Sequence, residues 1–470
     1  MNKNIILKTD SYKCIHFLQY PENCKYVYSY FESRNGSKFD NTVFFGLQYI
    51  LKEHLEGVVV TRKDIEDAAN LCKVHFGSEK YFNRKGWEYI LNNCGGKLPI
   101  RIRAIPEGSV IPTSNVLMTV ENTDENCPWL TNHLETVLTH VWYPTTVATL
   151  SRETKKIIEK YFDKTSTSDK SAIAFMLHDF GFRGTETVES ASIGGAAHLI
   201  NFMGTDTIVG MLLAMDYYRA PLEGLAYSVP ASEHSVMTAF GEDGEEKVLD
   251  NLLEKHPTGI LSIVSDSYDI KRFVKKYIKE RKDIILNRQL NDIGACRFVV
   301  RPDSLRSKTD TPEKQMLWLI KELYKIFGGT TNSKGYTVLN PKVGCLWGDG
   351  IDKDGIEKIL KLTSDNGFSI ENFVFGMGGG LLQKVNRDTC RFAFKCSAQK
   401  QGDEWFDIQK KPPDKSKASK KGKLKLIKIN GEYKTVSIDA GGDDLLETMF
   451  DNGEITKQYT LSEIRERAKI

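Results

Sequence analysis

Seven short apolar runs, each ending in small or charged residues, recur between about residue 170 and residue 380 and alternate with stretches of helical character. The runs are "AIAFMLHDFGFRG", "DTIVG", "GLAYSVPASEH", "GILSIVSDSYD", "CRFVVRPDS", "KVGCLWGDGID" and "ENFVFGMGGG". Continuous apolar character is typical of strands buried on both faces, and their alternation with helices favours parallel βαβ units. The pattern therefore predicts an α/β protein whose core is an irregular, closed or nearly closed parallel α/β barrel.

The two ends of the chain lack this alternation of apolar runs and helical stretches. The N-terminal part contains aromatic, strand-like segments such as "KYVYSYF" and "PIRIRAIPEGSVIP", and the closing segment "DLLETMFDNGEITKQYTLSEIRERAKI" has helical periodicity. We predict a flanking α+β domain built from N- and C-terminal segments. The expected division is 1–145 for the N-terminal flanking part, 146–395 for the barrel, and 396–470 for a C-terminal segment that packs on the flanking part.

Composition narrows the class of protein. With 40% hydrophobic and 27% charged residues and a net charge of +3, the chain is ordinary globular material, and its charge predicts neither nucleic-acid nor membrane binding. The nine cysteines form no CxxC pair, which argues against a zinc site and a disulfide framework. No run approaches the roughly 20 apolar residues of a membrane helix, and the start has no signal-peptide core. We expect a cytoplasmic protein with reduced thiols.

A lysine-rich stretch follows the predicted barrel. Eight lysines lie between Lys410 and Lys425, and only Asp414 opposes them. The stretch is either a solvated loop or a grip on a polyanion.

Polar residues gather where the predicted strands end. Parallel strands of a barrel direct their carboxyl ends to one face, so these side chains are expected to converge on a pocket. They are His178, Asp179, Ser265, Asp266, Arg301, Asp303 and Asp349. Converging carboxylates suit a magnesium-bound pyrophosphate or a ribose diol, although each aspartate alone is equally compatible with helix capping.

Two glycine-containing segments add candidate chemistry. "FGMGGGLLQK" allows backbone N–H groups to approach a phosphate at a helix start, with Arg387 expected two turns into that helix; a tight turn is the alternative. The segment fits neither a dinucleotide fingerprint nor a P-loop. In "LHDFGFRG", Phe180 is placed to stack on a flat heterocycle and Arg183 to bind phosphate. The alternative for the phenylalanine is packing in the core.

The stretch "SVPASEHSVMTAFG" holds His234 in the first turn of a short predicted helix, with Ser232 as its N-cap and Gly241 at its end. An imidazole in this position can accept a phosphoryl group, and Glu233 can orient the ring or bind magnesium. A polar residue at a helix start is the simpler interpretation.

Together these motifs resemble the nicotinamide phosphoribosyltransferases, a family of dimeric type II phosphoribosyltransferases. The resemblance spans Asp10 to the C-terminal "EIRERA" segment. It is carried, in order, by "TDSYK", "SYFESRNG", "VFFGLQYIL", "WYPTTVATLSRE", "LHDFGFRG", "GTDT", "SVPASEHS", "VSDSYDI", "RPDS", "GDGID" and "FGMGGGLLQKVNRD".

The resemblance implies a role for individual residues. For nicotinamide it implies Phe180, Asp206, Ser262, Arg301 and, from a partner subunit, Tyr12. For ribose, pyrophosphate and phosphate it implies Arg183, Asp303, Gly348, Asp349, Gly378 and Gly379, with Arg34, Arg387 and Lys395 acting across a dimer. For magnesium it implies Asp266 and Asp303, and for phosphorylation by ATP it implies His234 with Glu233 beside it. Which lysine of the loosely matching segment 400–421 contacts phosphate, Lys410 or Lys417, stays open.

The implied activity is transfer of phosphoribosyl from phosphoribosyl pyrophosphate to nicotinamide in NAD salvage, with Mg²⁺ as cofactor and ATP as co-substrate. The implied assembly is a homodimer with active sites at the subunit interface. Two alternatives remain, a nicotinate phosphoribosyltransferase and a non-catalytic signalling or binding protein.

Overall fold

A computed structural model describes residues 3–411, 413 and 418–470 of the chain. The strands, in chain order, are β1 Cys24–Ser33, β2 Asn41–Val43, β3 Ile100–Ala104, β4 Val110–Pro112, β5 Val116–Asn122, β6 Leu177–Asp179, β7 Gly204–Thr205, β8 Gly259–Val264, β9 Cys296–Arg301, β10 Gly329–Thr331, β11 Thr337–Leu339, β12 Val343–Trp347, β13 Phe373–Met377, β14 Phe392–Gln401, β15 Glu404–Asp407, β16 Leu424–Ile429, β17 Glu432–Ser437, β18 Glu447–Asp451 and β19 Glu454–Ile455.

Helices lie between consecutive strands of the parallel part of the chain. The α-helices are α1 Leu47–Ile50, α2 Arg62–Phe76, α3 Arg84–Asn93, α4 Leu130–His133, α5 Glu135–Thr139, α6 Trp142–Thr165, α7 Val188–His198, α8 Ile208–Tyr218, α9 His234–Met237, α10 Glu245–Lys255, α11 Ile270–Arg272, α12 Lys282–Leu286, α13 Pro312–Phe327, α14 Lys353–Asp365, α15 Gly379–Leu382 and α16 Leu461–Arg467. Short 3-10 segments include Ser11–Leu18 and Phe182–Gly184. Within the described part of the chain, no helix combines the length and apolar character that a membrane span requires.

The chain forms two compact units. Unit 1 comprises the described residues of Met1–Thr149, Leu213–Ala220 and Val385–Lys469, and unit 2 comprises Leu150–Leu212, Pro221–Lys384 and Ile470. The division at 145 and 395 drawn from the sequence stays a prediction.

Unit 1 contains a seven-stranded antiparallel sheet in the order β15-β14-β1-β5-β3-β18-β19. The N-terminal strands β1, β5 and β3 form the centre of this sheet, and two C-terminal strands flank them on each side, which confirms the predicted α+β flanking domain. The helical prediction for the closing segment is only partly right. Its first half forms the β18-β19 hairpin, and its end forms α16, which begins at a capping box of Thr460 and Glu463.

Unit 2 contains the parallel sheet, in the order β7-β6-β13-β12-β9-β8. Its strands are apolar on both faces because helices cover one face and the barrel interior lies on the other. In β12, for example, every residue is buried. Helix α13 buries a stripe at helical spacing, Met316, Leu319, Ile320 and Leu323.

Residues 227–231 close this sheet. Tyr227 forms a parallel bridge with Gly204 of β7, and Ala231 forms one with Ser262 of β8. The predicted irregular parallel barrel is confirmed. Two of its predicted strands differ: the run "DTIVG" begins helix α8 at Ile208, and "GLAYSVPASEH" pairs only through these bridges.

Helices α7 and α8 approach closely on the outside of the barrel. A Cβ added at Gly210 would lie 2.7 Å from the carbonyl carbon of Gly195 and 2.8 Å from its Cα. The contact therefore requires glycine, since both neighbouring atoms belong to backbone.

Gly210→Ala is expected to lower the free energy of unfolding by roughly 1–3 kcal/mol, because helix α8 must move away from Gly195. Urea unfolding measures the change. Gly441→Ala is the matched control, since an added Cβ there meets no atom within 4 Å. Equal effects of the two substitutions would contradict the close approach.

Candidate active site

The carboxyl ends of the parallel strands carry most of the polar residues predicted from the sequence. Strand β6 leads to Phe180, β7 to Asp206, the closing segment to His234, β8 to Asp266, β9 to Arg301 and Asp303, β12 to Gly348 and Asp349, and β13 to Gly378 and Gly379. All of these residues belong to unit 2, and the parallel order brings them to one end of the barrel.

Phe180 is held directly after β6, where its N–H donates to the carbonyl oxygen of Met377 at 3.0 Å. Its ring packs over two glycines. A Cβ added at Gly376 would lie 2.0 Å from ring atom Cε2, and one at Gly348 would lie 3.3 Å from the same atom. Gly348 therefore makes room for the aromatic ring, in addition to the ribose role expected of it.

Asp206 lies exposed just beyond β7. Its N–H donates to the carbonyl oxygen of Asp179 at 2.9 Å, and its Oδ1 accepts from the Ser228 hydroxyl at 2.6 Å. Ser228 was not among the predicted site residues. Its place at the head of "SVPASEHS" is the signal that could have found it.

Two buried donors on residues that line the same cavity as Asp206 have no partner among the described residues. They are the hydroxyl of Ser262 and the Nε of Arg301, whose Nη2 donates to the carbonyl oxygen of Ser232. Phe180, Asp206, Ser262 and Arg301 line one cavity of about 820 Å³. The cavity thus offers an aromatic face, one acceptor and two free donors, which match the hydrogen-bonding groups of a planar carboxamide.

His234 begins helix α9. Its Nε2 lies 3.2 Å from Asp266 Oδ1, and its Nδ1 lies 3.9 Å from Asp303 Oδ2. About half of its side chain is exposed, 47% by area, so the ring is accessible to a ligand.

The predicted cap of this helix was wrong. Glu233 occupies the N-cap position, and the helix ends at Met237 instead of Gly241. Ser232 is buried, and its hydroxyl accepts from the Val264 N–H at 2.9 Å, since sheet closure places it against β8. The Glu233 carboxylate accepts from the Ser235 hydroxyl, so the carboxylates beside the histidine ring are Asp266 and Asp303.

Three carboxylates share this end of the barrel. Asp266 Oδ2 accepts from the Asp303 N–H at 3.0 Å and from the Ser304 hydroxyl. Burial, followed by the negative charges of Asp303 and Asp266, raises the pKa of Asp349. Mutual repulsion of carboxylates marks a place where a cation is stabilised.

Asp266 and Asp303 are the candidate ligands for Mg²⁺. Over the described residues, no three His, Cys, Asp or Glu side chains form a closed metal cluster. Mg²⁺ does not require one, because it commonly uses one or two carboxylates together with water and substrate phosphates. Asp303, with 40% of its side chain exposed, and the neighbouring Asp266 fit that mode of binding.

The glycine turn after β13 lies beside the Arg183 turn. A Cβ added at Gly184 would lie 3.8 Å from Gly379 Cα, and Arg183 is exposed. The expected long helix is absent from this place. Helix α15 ends at Leu382, and Arg387 lies in the segment before β14, in unit 1.

The remaining predicted residues, Tyr12, Arg34, Arg387 and Lys395, belong to unit 1. Tyr12 is 58% exposed on the 3-10 helix Ser11–Leu18. Burial lowers the pKa of Lys395, with further repulsion from Arg34, Lys410 and Arg387 and an opposing effect of Glu135. A cluster of four cations of this kind favours an anion. Lys417 lies outside the described residues.

Comparison with known proteins identifies relatives along the whole chain. Residues 175–454 match the model of the nicotinate phosphoribosyltransferase family, and residues 4–102 match that of the nicotinamide phosphoribosyltransferase N-terminal domain. A protein of Xanthomonas campestris pv. campestris named nicotinamide phosphoribosyltransferase is 44% identical over 99% of this chain and 98% of its own. One of the same name from Acinetobacter baylyi is 34% identical over 97% of this chain and 95% of its own.

Solved structures support the fold. Nicotinate-nucleotide pyrophosphorylase from Pyrococcus furiosus superposes with a TM-score of 0.61 at 17% identity, over 100% of this chain and 95% of that one. Human nicotinic acid phosphoribosyltransferase superposes with a TM-score of 0.57 at 14% identity, over 98% and 92%.

Asp179 is a buried residue that the sequence placed among the converging strand-end residues without assigning it an individual role. Its Oδ1 accepts from the Gly181 N–H at 2.7 Å, and its backbone oxygen accepts from Asp206, so it links the turns that carry Phe180 and Asp206. Burial raises the pKa of its carboxyl to about 7, with a smaller contribution from the charge of Asp206.

Comparison of wild type with Asp179→Asn across pH tests this burial. The folded carboxyl keeps its proton up to about pH 7, whereas its usual pKa is 3.8, so its stabilising contribution is complete below pH 4 and is lost as the pH rises through 7. The free energy of unfolding of wild type relative to Asp179→Asn should therefore fall over this range, by up to about 4 kcal/mol. A difference independent of pH in urea unfolding would contradict the shift.

Proposed function

The chain belongs to the nicotinate phosphoribosyltransferase family and is a phosphoribosyltransferase, and we propose on that premise that it transfers phosphoribosyl from phosphoribosyl pyrophosphate to nicotinamide. The products would be nicotinamide mononucleotide and pyrophosphate, a step of NAD salvage. Both named relatives carry this activity in their names, and they match almost the full length of this chain.

One observation in the cavity supports nicotinamide as the acceptor. Asp206 offers a carboxylate acceptor in the same cavity as the free donors of Ser262 and Arg301. The carboxamide NH₂ would donate to Asp206, and its carbonyl oxygen would accept from Ser262 and Arg301. The carboxylate of nicotinate has no N–H to donate and would be repelled by Asp206. Phe180 would stack on the pyridine ring.

The sugar and its phosphates would occupy the adjoining strand ends. Asp303 and Asp349 would accept hydrogen bonds from ribose hydroxyls, and the Gly378–Gly379 turn with Arg183 would bind the 5′-phosphate. Asp266 and Asp303 would hold Mg²⁺, which when bound neutralises charge on the pyrophosphate oxygens.

In the reaction, the lone pair of the pyridine N1 forms a bond to the anomeric carbon as the bond from that carbon to the pyrophosphate oxygen breaks. The transition state has oxocarbenium character, and the leaving pyrophosphate takes the electron pair. Stacking on Phe180 and hydrogen bonds to Asp206, Ser262 and Arg301 would align N1 with the anomeric carbon. This alignment would lower the entropic contribution to the activation free energy of the transfer. No covalent sugar intermediate on the protein is needed.

His234 is proposed as the site of phosphorylation by ATP, coupled to the transfer. Its half-exposed ring next to Asp266 and Asp303 supports this, because both carboxylates are also proposed to hold Mg²⁺. ATP and phosphoribosyl pyrophosphate would thus share one Mg²⁺ site. Glu233 precedes the ring as the N-cap of α9.

The assembly is proposed to be a homodimer in which Tyr12, Arg34, Arg387 and Lys395 complete the partner's site. The exposed aromatic ring of Tyr12 and the cationic surroundings of Lys395 are both suited to that role. A cytoplasmic location agrees with nine cysteines that are all free, each within the described residues.

A single assay tests the proposed reaction. The protein is incubated with phosphoribosyl pyrophosphate, Mg²⁺ and either nicotinamide or nicotinate, with and without ATP, and the mononucleotide is identified by mass spectrometry. Nicotinamide mononucleotide should dominate. Faster formation of nicotinate mononucleotide would instead assign the chain to nicotinate transfer.

Asp206→Asn is expected to reduce the preference for nicotinamide over nicotinate by roughly tenfold or more, because the substitution removes the negative charge that would repel the nicotinate carboxylate. The ratio of kcat/KM for the two acceptors measures the effect. Ser304→Ala, which alters a neighbouring hydroxyl bonded to Asp266, should leave the ratio unchanged. An unaltered ratio in Asp206→Asn would rule out the carboxamide contact.

His234→Ala should abolish ATP hydrolysis and weaken the use of phosphoribosyl pyrophosphate while a slow transfer remains, since the proposed phosphoryl acceptor is lost but the acceptor pocket is not. Phosphate release and mononucleotide formation are measured in parallel. Ser235→Ala serves as a control in the same helix. ATP turnover that persists in His234→Ala would exclude this histidine as the phosphorylated residue.

A further inference from the structure

The inner face of β9 carries a second arginine. Arg297, Val299 and Arg301 alternate along the strand, and all three line the cavity of about 820 Å³. With a rise of about 3.3 Å per residue, Arg297 lies roughly 13 Å from Arg301, toward the start of the strand. The cavity therefore continues past the proposed nicotinamide site to a separate cation.

The guanidinium of Arg297 is incompletely compensated. Its Nη1 donates to the carbonyl oxygen of Glu371 at 3.2 Å, and none of the ion pairs formed within the described residues includes it. Burial lowers its pKa, against smaller opposing effects of Cys345 and Glu371. Glycine at position 344 makes room for the side chain, since an added Cβ would lie 3.0 Å from Arg297 Cδ and 3.1 Å from its Nε.

Glu371 does not neutralise this cation by direct contact. Its carboxylate accepts from the hydroxyls of Ser168 and Ser369, the latter at 2.9 Å, so its oxygens are already engaged. A guanidinium stays charged even when it is partly desolvated, and the partly buried charge of Arg297 is stabilised when an anion pairs with it. The remaining N–H groups of Arg297 can form a fork that fits a carboxylate.

The surroundings select the kind of anion. The lining of the cavity near the start of the parallel strands is rich in apolar and aromatic side chains, namely Phe162, Ile260, Ile293 and Phe373, with Lys255 and His256 among its polar members. A flat aromatic body fits such walls, whereas a free phosphate dianion would gain nothing from their apolar surface.

We propose that the end of the cavity near the start of the parallel strands binds the carboxylate of a small aromatic acid, with Arg297 as its anchor. The site is distinct from the proposed acceptor site, because its anchoring cation lies about 13 Å from Arg301 along β9. It would discriminate in the opposite sense: Arg297 selects a carboxylate, whereas Asp206 selects a carboxamide.

Benzoate is a suitable probe because it has no ring nitrogen and cannot act as an acceptor in the transfer. Its binding to the full-length protein is measured by isothermal titration calorimetry. Arg297→Met should weaken benzoate binding by roughly tenfold or more, and Arg297→Lys should weaken it less, because the charge remains but the fork is lost. Lys255→Met, which removes another lining cation, is the matched control and should bind benzoate like wild type.

Benzamide provides the complementary arm, and its binding should be unchanged in Arg297→Met. Benzoate affinity that is equal in wild type and both Arg297 variants, or no benzoate binding by wild type, would overturn the site. Displacement of benzoate by inorganic phosphate would overturn the assignment to aromatic acids. If Arg297→Met fails to fold, as judged by thermal unfolding, Arg297→Lys carries the comparison. Mononucleotide formation is assayed separately, so failure of this site and failure of the transferase proposal are distinguishable.

Discussion

Closure of the parallel sheet by residues 227–231 is the constraint on which the candidate site depends. The Thr205 N–H donates to the Tyr227 carbonyl oxygen at 3.0 Å, and the Ser262 N–H donates to the Pro230 carbonyl oxygen at 2.9 Å. These hydrogen bonds join β7 to β8 through a segment too irregular to form a strand. Because the segment lies between the two edges, Ser228 reaches Asp206 on one side, and the following turn brings a histidine to the end of β8. The segment that closes the barrel therefore also forms part of the candidate active site.

The sequence pattern predicted the regular part of the barrel better than this closing part. Five apolar runs became β6, β8, β9, β12 and β13, because continuous burial on both faces leaves a strong signal. The run "DTIVG" misled because a short apolar segment looks the same in a buried helix as in a strand. In the closing segment, pairing depends on edges supplied by β7 and β8, which are distant in sequence. The C-terminal hairpin β18-β19 was mistaken for helix for a related reason, since its pairing partner is β3.

Candidate residues were predictable where topology alone decides position, at the ends of parallel strands. Their local contacts were not. The Ser232 hydroxyl bonds to β8, and Glu233 occupies the N-cap position of the helix, because of the register of the closing segment against β8. That Arg387 lies outside any helix follows from the early end of α15 at Leu382. Capping and hydrogen-bond partners of this kind depend on tertiary neighbours, which no local spacing in the sequence encodes.

The Asp266 carboxylate contacts both His234 and the segment that follows β9, so it would couple the events proposed at these two places. One of its oxygens faces the His234 ring, and the other accepts from the backbone N–H of Asp303. A covalent change on the ring would alter its contact with Asp266 and thereby the position of the β9 end, where the sugar is proposed to bind. Thermodynamic linkage makes such an effect reciprocal: whatever modification of the histidine adds to sugar affinity, bound sugar adds equally to the stability of the modified histidine. Under the proposed function, a single carboxylate would thus make the phosphorylating nucleotide and the ribose phosphate mutually dependent ligands.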